Sequence, residues 1–196
     1  MEADWEIEVG GGAPVIDALW QGFVDLRRCP DRIDEIPEAS ASAPLAFLLT
    51  ALNAVESPLW TAKCDLWLPE GGDLTVPQLT GPETAATVSP AKAAIACYVD
   101  ILPVNGVVFP TWDLAEGLCR DWVARLAGIA VPGATVDLIV RQAIAGDQDG
   151  FGITAYLGAE GADWVTVNET FAVAVVAFAG ALPTDVVPAS GQSKLQ

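Results

Sequence analysis

The sequence contains no histidine. That absence excludes Ser-His-Asp and Cys-His nucleophile systems and any metal site built on imidazole. Cations are scarce as well: nine lysines and arginines stand against 26 aspartates and glutamates, for a formal net charge of -17. This balance argues against nucleic acid or an anionic membrane as partner. It suits a basic protein instead, through steered, salt-sensitive encounter. Charged residues of all kinds make up only 18%, against about 25% in ordinary chains. The chain is therefore short of polar groups to cover its surface, and a homo-oligomer sharing apolar surface is expected. No CxxC or zinc-type spacing occurs among Cys29, Cys64, Cys97 and Cys119. The first residues, Met1-Glu2-Ala3-Asp4-Trp5-Glu6, are acidic where a secretory leader is basic and then apolar. Reduced thiols in a cytoplasmic protein are the expectation. The longest apolar run, Phe171 to Leu182, ends at Pro183, well short of the roughly 20 residues needed to span a bilayer. A central buried helix packed on several sides is expected there.

What is present is apolar and aromatic. Apolar residues make up 52% of 196, with seven tryptophans, enough for a core that buries roughly 70% of the unfolded surface. One domain over residues 1–187 is expected, with a flexible tail at 188–196. Alternation predicts strands at Trp5–Val9, Trp20–Arg28, Trp60–Leu68, Ala94–Leu102, Thr135–Ala143 and Phe151–Leu157. Gly10-Gly11-Gly12 reads as a turn, and Asp149-Gly150 as a hairpin turn. Ser42 before Pro44 predicts a helix over Leu45–Asn53. Asp113 with Glu116 predicts a capped helix over Leu114–Leu126, stopped by Gly128. A last helix starts near Asn168. Residues 30–43 read as a loop, and so does the Gly-, Pro- and Thr-rich stretch Pro69–Pro90, with a short edge strand at Leu74–Val76. The latter loop is long enough to act as a lid. The expected fold is α+β, a mainly antiparallel sheet with helices on one face. Its inner series reads as a ferredoxin-like βαββαβ core with extra strands and a C-terminal helix; three ββα units are the alternative.

Four of the predicted strands repeat one phrase: Phe23-Val-Asp25-Leu26, Lys63-Cys-Asp65-Leu66, Tyr98-Val-Asp100-Ile101 and Thr135-Val-Asp137-Leu138. Strand side chains alternate, so each divides into an apolar face for the helices and a mixed face. The mixed face would carry Phe23, Asp25, Arg27, Lys63, Asp65, Trp67, Tyr98, Asp100, Thr135, Asp137, Ile139 and Arg141. Aspartate is a poor strand former, so its recurrence on one side calls for a reason.

Three readings fit. The face is solvated and laced with cross-strand ion pairs. It is the interface of a homo-oligomer anchored by Trp67, Tyr98 and Phe23. Or it is a ligand site, with Asp65, Trp67, Tyr98, Asp137, Arg141 and Arg27 as binding residues. The functional class expected is an oligomeric module that binds a small molecule or a protein. The rival is an enzyme in which Asp25 and Asp100, on neighbouring strands, act as acid and base beside Lys63. No metal-ligand motif and no cofactor motif is present, though the carboxylates suit Mg²⁺ or Ca²⁺.

Overall fold

The computed structural model describes residues 1–68, 93–105 and 107–183. The proposed lid Pro69–Pro90, its edge strand and the 188–196 tail lie outside the described residues. The elements in chain order are β1 (Glu2–Glu8), β2 (Ile16–Asp17), α1 (Pro37–Ala41), α2 (Ala43–Leu52), β3 (Leu59–Trp67), β4 (Ala93–Pro103), α3 (Trp112–Leu126), β5 (Ala134–Ala145), β6 (Gln148–Gly161) and α4 (Trp164–Gly180). A single 3-10 stretch, Pro30–Glu35, precedes α1.

The fold is α+β, with a mixed six-stranded sheet in the order β1-β5-β6-β4-β3 and β2 also on β5. β1 and β2 run parallel to β5, and the other pairs are antiparallel. In chain order two strands and two helices are followed by two ββα units, and the strand order departs from the ferredoxin-like expectation. The physical reason lies at residues 20–28, expected as a strand. Gly22 there takes φ +109. The Asp25 carboxylate accepts the Arg27 amide, and the Asp25 carbonyl accepts the amides of Arg28 and Cys29. A left-handed glycine and an Asx turn win over β propensity.

Alternation sorts the strands as expected. Val99 and Ile101 of β4, Val136, Leu138 and Val140 of β5, and Ile153 and Leu157 of β6 are buried in one core with α2, α3 and α4. Cys97 and Cys119 sit in this core as well, all four cysteines being free thiols. α4 lies over β6 and β4, beside α2, and α3 lies over β1, β5 and β6. On the opposite side, residues 16–28 cover one corner of the sheet. Phe23 packs edge-on against buried Trp60, with Ile16, Leu102 and Ala143 alongside. Among the described residues nothing else covers that side.

Local signals resolve as follows. Ser42 caps α2 as expected, its hydroxyl accepting the Leu45 amide at 3.4 Å. Asp163 rather than Asn168 opens α4, accepting the Thr166 amide at 2.8 Å. Thr111, not Asp113, occupies the α3 cap position. The β5–β6 hairpin turns at Gly146 (φ +63) and Asp147, not at Asp149-Gly150. Gly150 serves a close approach instead: a Cβ there would stand 2.5 Å from the Phe109 carbonyl oxygen, where Phe109 bridges Phe151. α4 is not enclosed on all sides either, because Val173 and Val176 are 54% and 57% exposed. Among the described residues, no helix is long and apolar enough to cross a membrane.

Candidate functional site

The open side of the sheet is built by strict alternation on five strands. One row runs straight across them through successive partners: Asp4, Asp137, Tyr156, Tyr98 and Asp65. A second row runs Glu6, Ile139, Thr154 and Asp100. A third runs Glu2, Thr135, Gly158, Ala96 and Trp67. Trp67, Tyr98 and Tyr156 therefore converge as one half-buried aromatic platform. Trp67 stacks on Tyr156 at 6.4 Å and 9°, while Tyr98 stands 5.7 Å from Trp67 and 5.8 Å from Tyr156. Carboxylates flank the platform on both sides.

A polar chain runs under one edge of the platform. Arg141 Nη2 donates to Glu8 at 2.7 Å; its Nη1 donates to the Tyr156 hydroxyl at 3.2 Å and reaches Thr154 Oγ1 at 3.4 Å. The fully buried Thr154 hydroxyl in turn donates to Asp100 at 2.6 Å. Asp100 is 7% exposed, and burial raises its carboxyl above the ordinary value, against the opposing pull of Thr154, Arg141 and Lys63. Burial works to lower Arg141, but its bonds to Tyr156 and Glu8 outweigh that and hold its pKa above the ordinary arginine value. Tyr98 is raised by burial and then by Asp100 and Asp65, so its hydroxyl stays protonated.

Among the described residues the other edge of the platform has no such compensation. Asp137 is raised by burial and by the carboxylates of Asp4, Glu6 and Glu2. None of these four has a cationic partner among the described residues. Asp4 and Asp137 are direct partners in register, so like charges face each other across the pair, which destabilises a sheet. Beside them opens a hollow of about 400 Å³, walled by Glu2, Asp137 and Tyr156 and floored by Ala94, Ala96 and Gly158. Gly158 keeps the floor low, since a Cβ there would meet Thr135 Oγ1 at 2.9 Å.

Of the residues nominated from sequence, Asp65, Trp67, Tyr98, Asp100, Asp137 and Arg141 share this face. Asp25 and Arg27 do not join a strand. Asp25 binds Arg27 bidentately at 3.0 and 3.2 Å and lies 3.5 Å from Arg28. Burial works to raise it, but the Arg27 bond and the charges of Arg27 and Arg28 hold its carboxyl below the ordinary value. Arg27 lies 4.0 Å over the Trp60 ring. Asp25 and Asp100 are thus not brought together as neighbouring carboxylates, because the strand that would have carried Asp25 does not form. The carboxylate pair that does form is Asp4 with Asp137. Lys63 sits at a bulge of β3, exposed, 5.8 Å from the Trp20 ring. Cys64 beside it is pushed up to about 12, first by burial. Among the described residues no three histidine, cysteine, aspartate or glutamate side chains converge to hold a metal.

Sequence reasoning missed Glu2, Asp4, Glu6, Glu8, Thr154 and Tyr156. The signal was present in the alternation of Glu2–Glu8 and of Gly152–Tyr156, but nothing local says which strands lie side by side. The aspartates at the two ends of the first row have a further task. Asp4 accepts the Trp5 amide and Asp65 the Leu66 amide, each at 2.8 Å. β1 and β3 are the outer strands, and a carboxylate on an edge amide blocks an incoming strand from taking it. Comparisons of the chain with protein families, with curated proteins and with solved structures found no match.

Proposed function

We propose that the chain is a binding module whose open sheet face captures an organic cation, an ammonium or guanidinium carried by a small molecule or by the side chains of a basic protein. The observation that carries this reading is the Asp4–Asp137 pair, with Glu2 and Glu6, left without a cation among the described residues, beside Tyr156 and a hollow of about 400 Å³. Local rules broken without compensation concentrate where function sits. A bound cation would relieve the repulsion, and a cation over an aromatic face gains about 0.5–2 kcal/mol more. Tyr156 has Arg141 5.7 Å from its ring centroid on the side of the polar chain, so the rings of Trp67 and Tyr98 are the ones left to receive a cation. The blocked edges of β1 and β3 direct a partner onto the face rather than into the sheet.

Calorimetric titration of the full chain with spermidine, with agmatine and with an arginine-rich peptide tests this. Saturable binding is expected, weakening as salt rises. Asp137→Asn and Trp67→Leu should each weaken it about tenfold, the effect of losing roughly 1.4 kcal/mol. A response to the peptide alone identifies a protein partner; a response to the amines identifies a small molecule. No saturable heat with any of the three would sink the reading.

A further inference from the structure

A second hollow, of about 320 Å³, opens at the outer edge of β3, where the turn at residues 20–28 and the start of α1 meet that strand. Small-molecule sites commonly hold about 300–1,000 Å³. Val24, Ile36 and Leu49 line it with apolar groups, and Trp20 walls one side. That wall is held from two directions. Trp20 Nε1 donates to the Ala62 carbonyl at 2.8 Å. Gly22 lets the turn fold onto the ring, since a Cβ there would stand 2.7 Å from Trp20 Cζ3.

Two charges at this hollow are left over. Ala62 and Lys63 form a bulge between Thr61 and Cys64, and a bulge re-aims the side chain it carries. Lys63 thereby stands among the lining residues. It is the one lysine or arginine among the described residues with neither an ion pair nor a hydrogen bond; each arginine has a carboxylate or a carbonyl partner. On a chain with 26 carboxylates to nine cations, a lysine without a partner needs a reason. Of the carboxylates lining the hollow, Glu35 is taken by Arg32 at 2.6 Å. Glu38 has neither ion pair nor hydrogen bond among the described residues. Lys63 and Glu38 bear on the same thiol, Cys64, in opposite senses, yet no ion pair closes between them.

We infer that this hollow binds a free α-amino acid with an apolar side chain, its carboxylate on Lys63, its ammonium on Glu38 and its side chain against Trp20, Val24 and Leu49. The charges select the class. A bare carboxylate would meet Glu38 and Asp65 as well as Lys63, on a chain of net charge -17. A bare amine would meet Lys63. A zwitterion gives each leftover charge its counterpart and adds no net charge, while its side chain leaves water for the apolar lining. The site is separate from the cation site on the open sheet face, because it requires Lys63, which a cation does not.

Calorimetric titration of the full chain with L-leucine, with 4-methylpentanoate and with glycine tests it. The second probe lacks the ammonium and the third the side chain. Saturable binding of leucine with Kd below about 1 mM is expected. The other two should each bind at least about tenfold more weakly. Lys63→Met and Glu38→Gln should each weaken leucine about tenfold, and Lys63→Arg should restore most of the loss. Circular dichroism of each variant establishes that it is folded. No saturable heat with leucine up to about 10 mM overturns the inference. So does equal binding of 4-methylpentanoate, which would make the ammonium irrelevant. Leucine binding that survives both Lys63→Met and Glu38→Gln also overturns it, by placing the amino acid elsewhere.

Discussion

The two sides of the sheet are made by the same strands and obey different rules. Toward the helices, Val99, Ile101, Val136, Leu138, Ile153 and Leu157 meet only other apolar groups, and all are essentially inaccessible to water. Toward solvent, one residue along, Asp100, Asp137, Thr154 and Tyr156 meet charges, hydroxyls and rings. The first side is settled by area: each side chain there gains by leaving water. The second side divides again. Around Arg141 the polar groups are joined in a continuous chain from Glu8 to Asp100. Around Asp137 the carboxylates oppose one another. Stability is concentrated on the closed side, and the tension that a ligand could relieve is concentrated at one edge of the open one.

Substitutions can break this contrast in order of size. Phe171→Ala, on the closed side and fully buried, should cost about 3–5 kcal/mol by denaturant unfolding. Trp67→Ala, on the open side, should cost no more than about 1 kcal/mol. Comparable losses at the two positions would dissolve the distinction between the sides.

Thr154→Val removes the hydroxyl that bonds Asp100 and should cost about 1–3 kcal/mol at neutral pH. The sign follows from the Asp100 carboxyl, whose folded-state value is raised by burial. A raised carboxyl favours the fold while it is protonated and loses that contribution as pH rises through its folded value. The cost of the valine variant should therefore shrink on acidification, when Asp100 no longer has a charge to satisfy. A cost that does not change with pH would remove Asp100 from the account.

Asp137→Asn is the smallest effect and has the opposite sign. It should stabilise the free protein at neutral pH by about 0.5 kcal/mol, by removing like charge opposite Asp4. The gain should vanish below the ordinary carboxyl range, where the wild-type side chain is already neutral. Asp25→Asn provides the contrast. Asp25 is held below its ordinary value by Arg27 and Arg28, so its contribution is present above the unfolded value and lost as pH falls through the folded one. That variant should destabilise at neutral pH by about 1 kcal/mol. Two aspartates from the same repeated phrase would then shift stability in opposite directions.

How far these features could be read in advance depends on the range of the physics involved. The Ser42 cap, the three long helices and the inward face of each long strand are local, and local signals found them. The turn at residues 20–28 is local as well, but Gly22 and Asp25 were outweighed by the alternation of Phe23, Val24 and Leu26. Gly150 was read as a turn because its real cause, the Phe109 backbone crossing above it, is 41 residues away in sequence. Strand order was hardest. That β1 joins the sheet parallel to β5, some 130 residues later, follows from no spacing in the chain. Yet that pairing sets Asp4 against Asp137 and builds the acidic edge of the site. Asp65, Trp67, Tyr98, Asp100, Asp137 and Arg141 were found together because alternation alone puts them on one side.

The most direct measurement of the central claim is the thermal unfolding midpoint of the wild-type chain and of Asp137→Asn, each with and without saturating spermidine. A ligand that binds the folded state raises its stability in proportion to occupancy and affinity. A crossing pattern is expected: without amine Asp137→Asn melts higher than wild type, and with amine wild type gains more and closes or reverses the gap. If the amine raises both midpoints equally, or if Asp137→Asn melts lower from the start, the carboxylates around Asp137 do not form a site waiting for a cation.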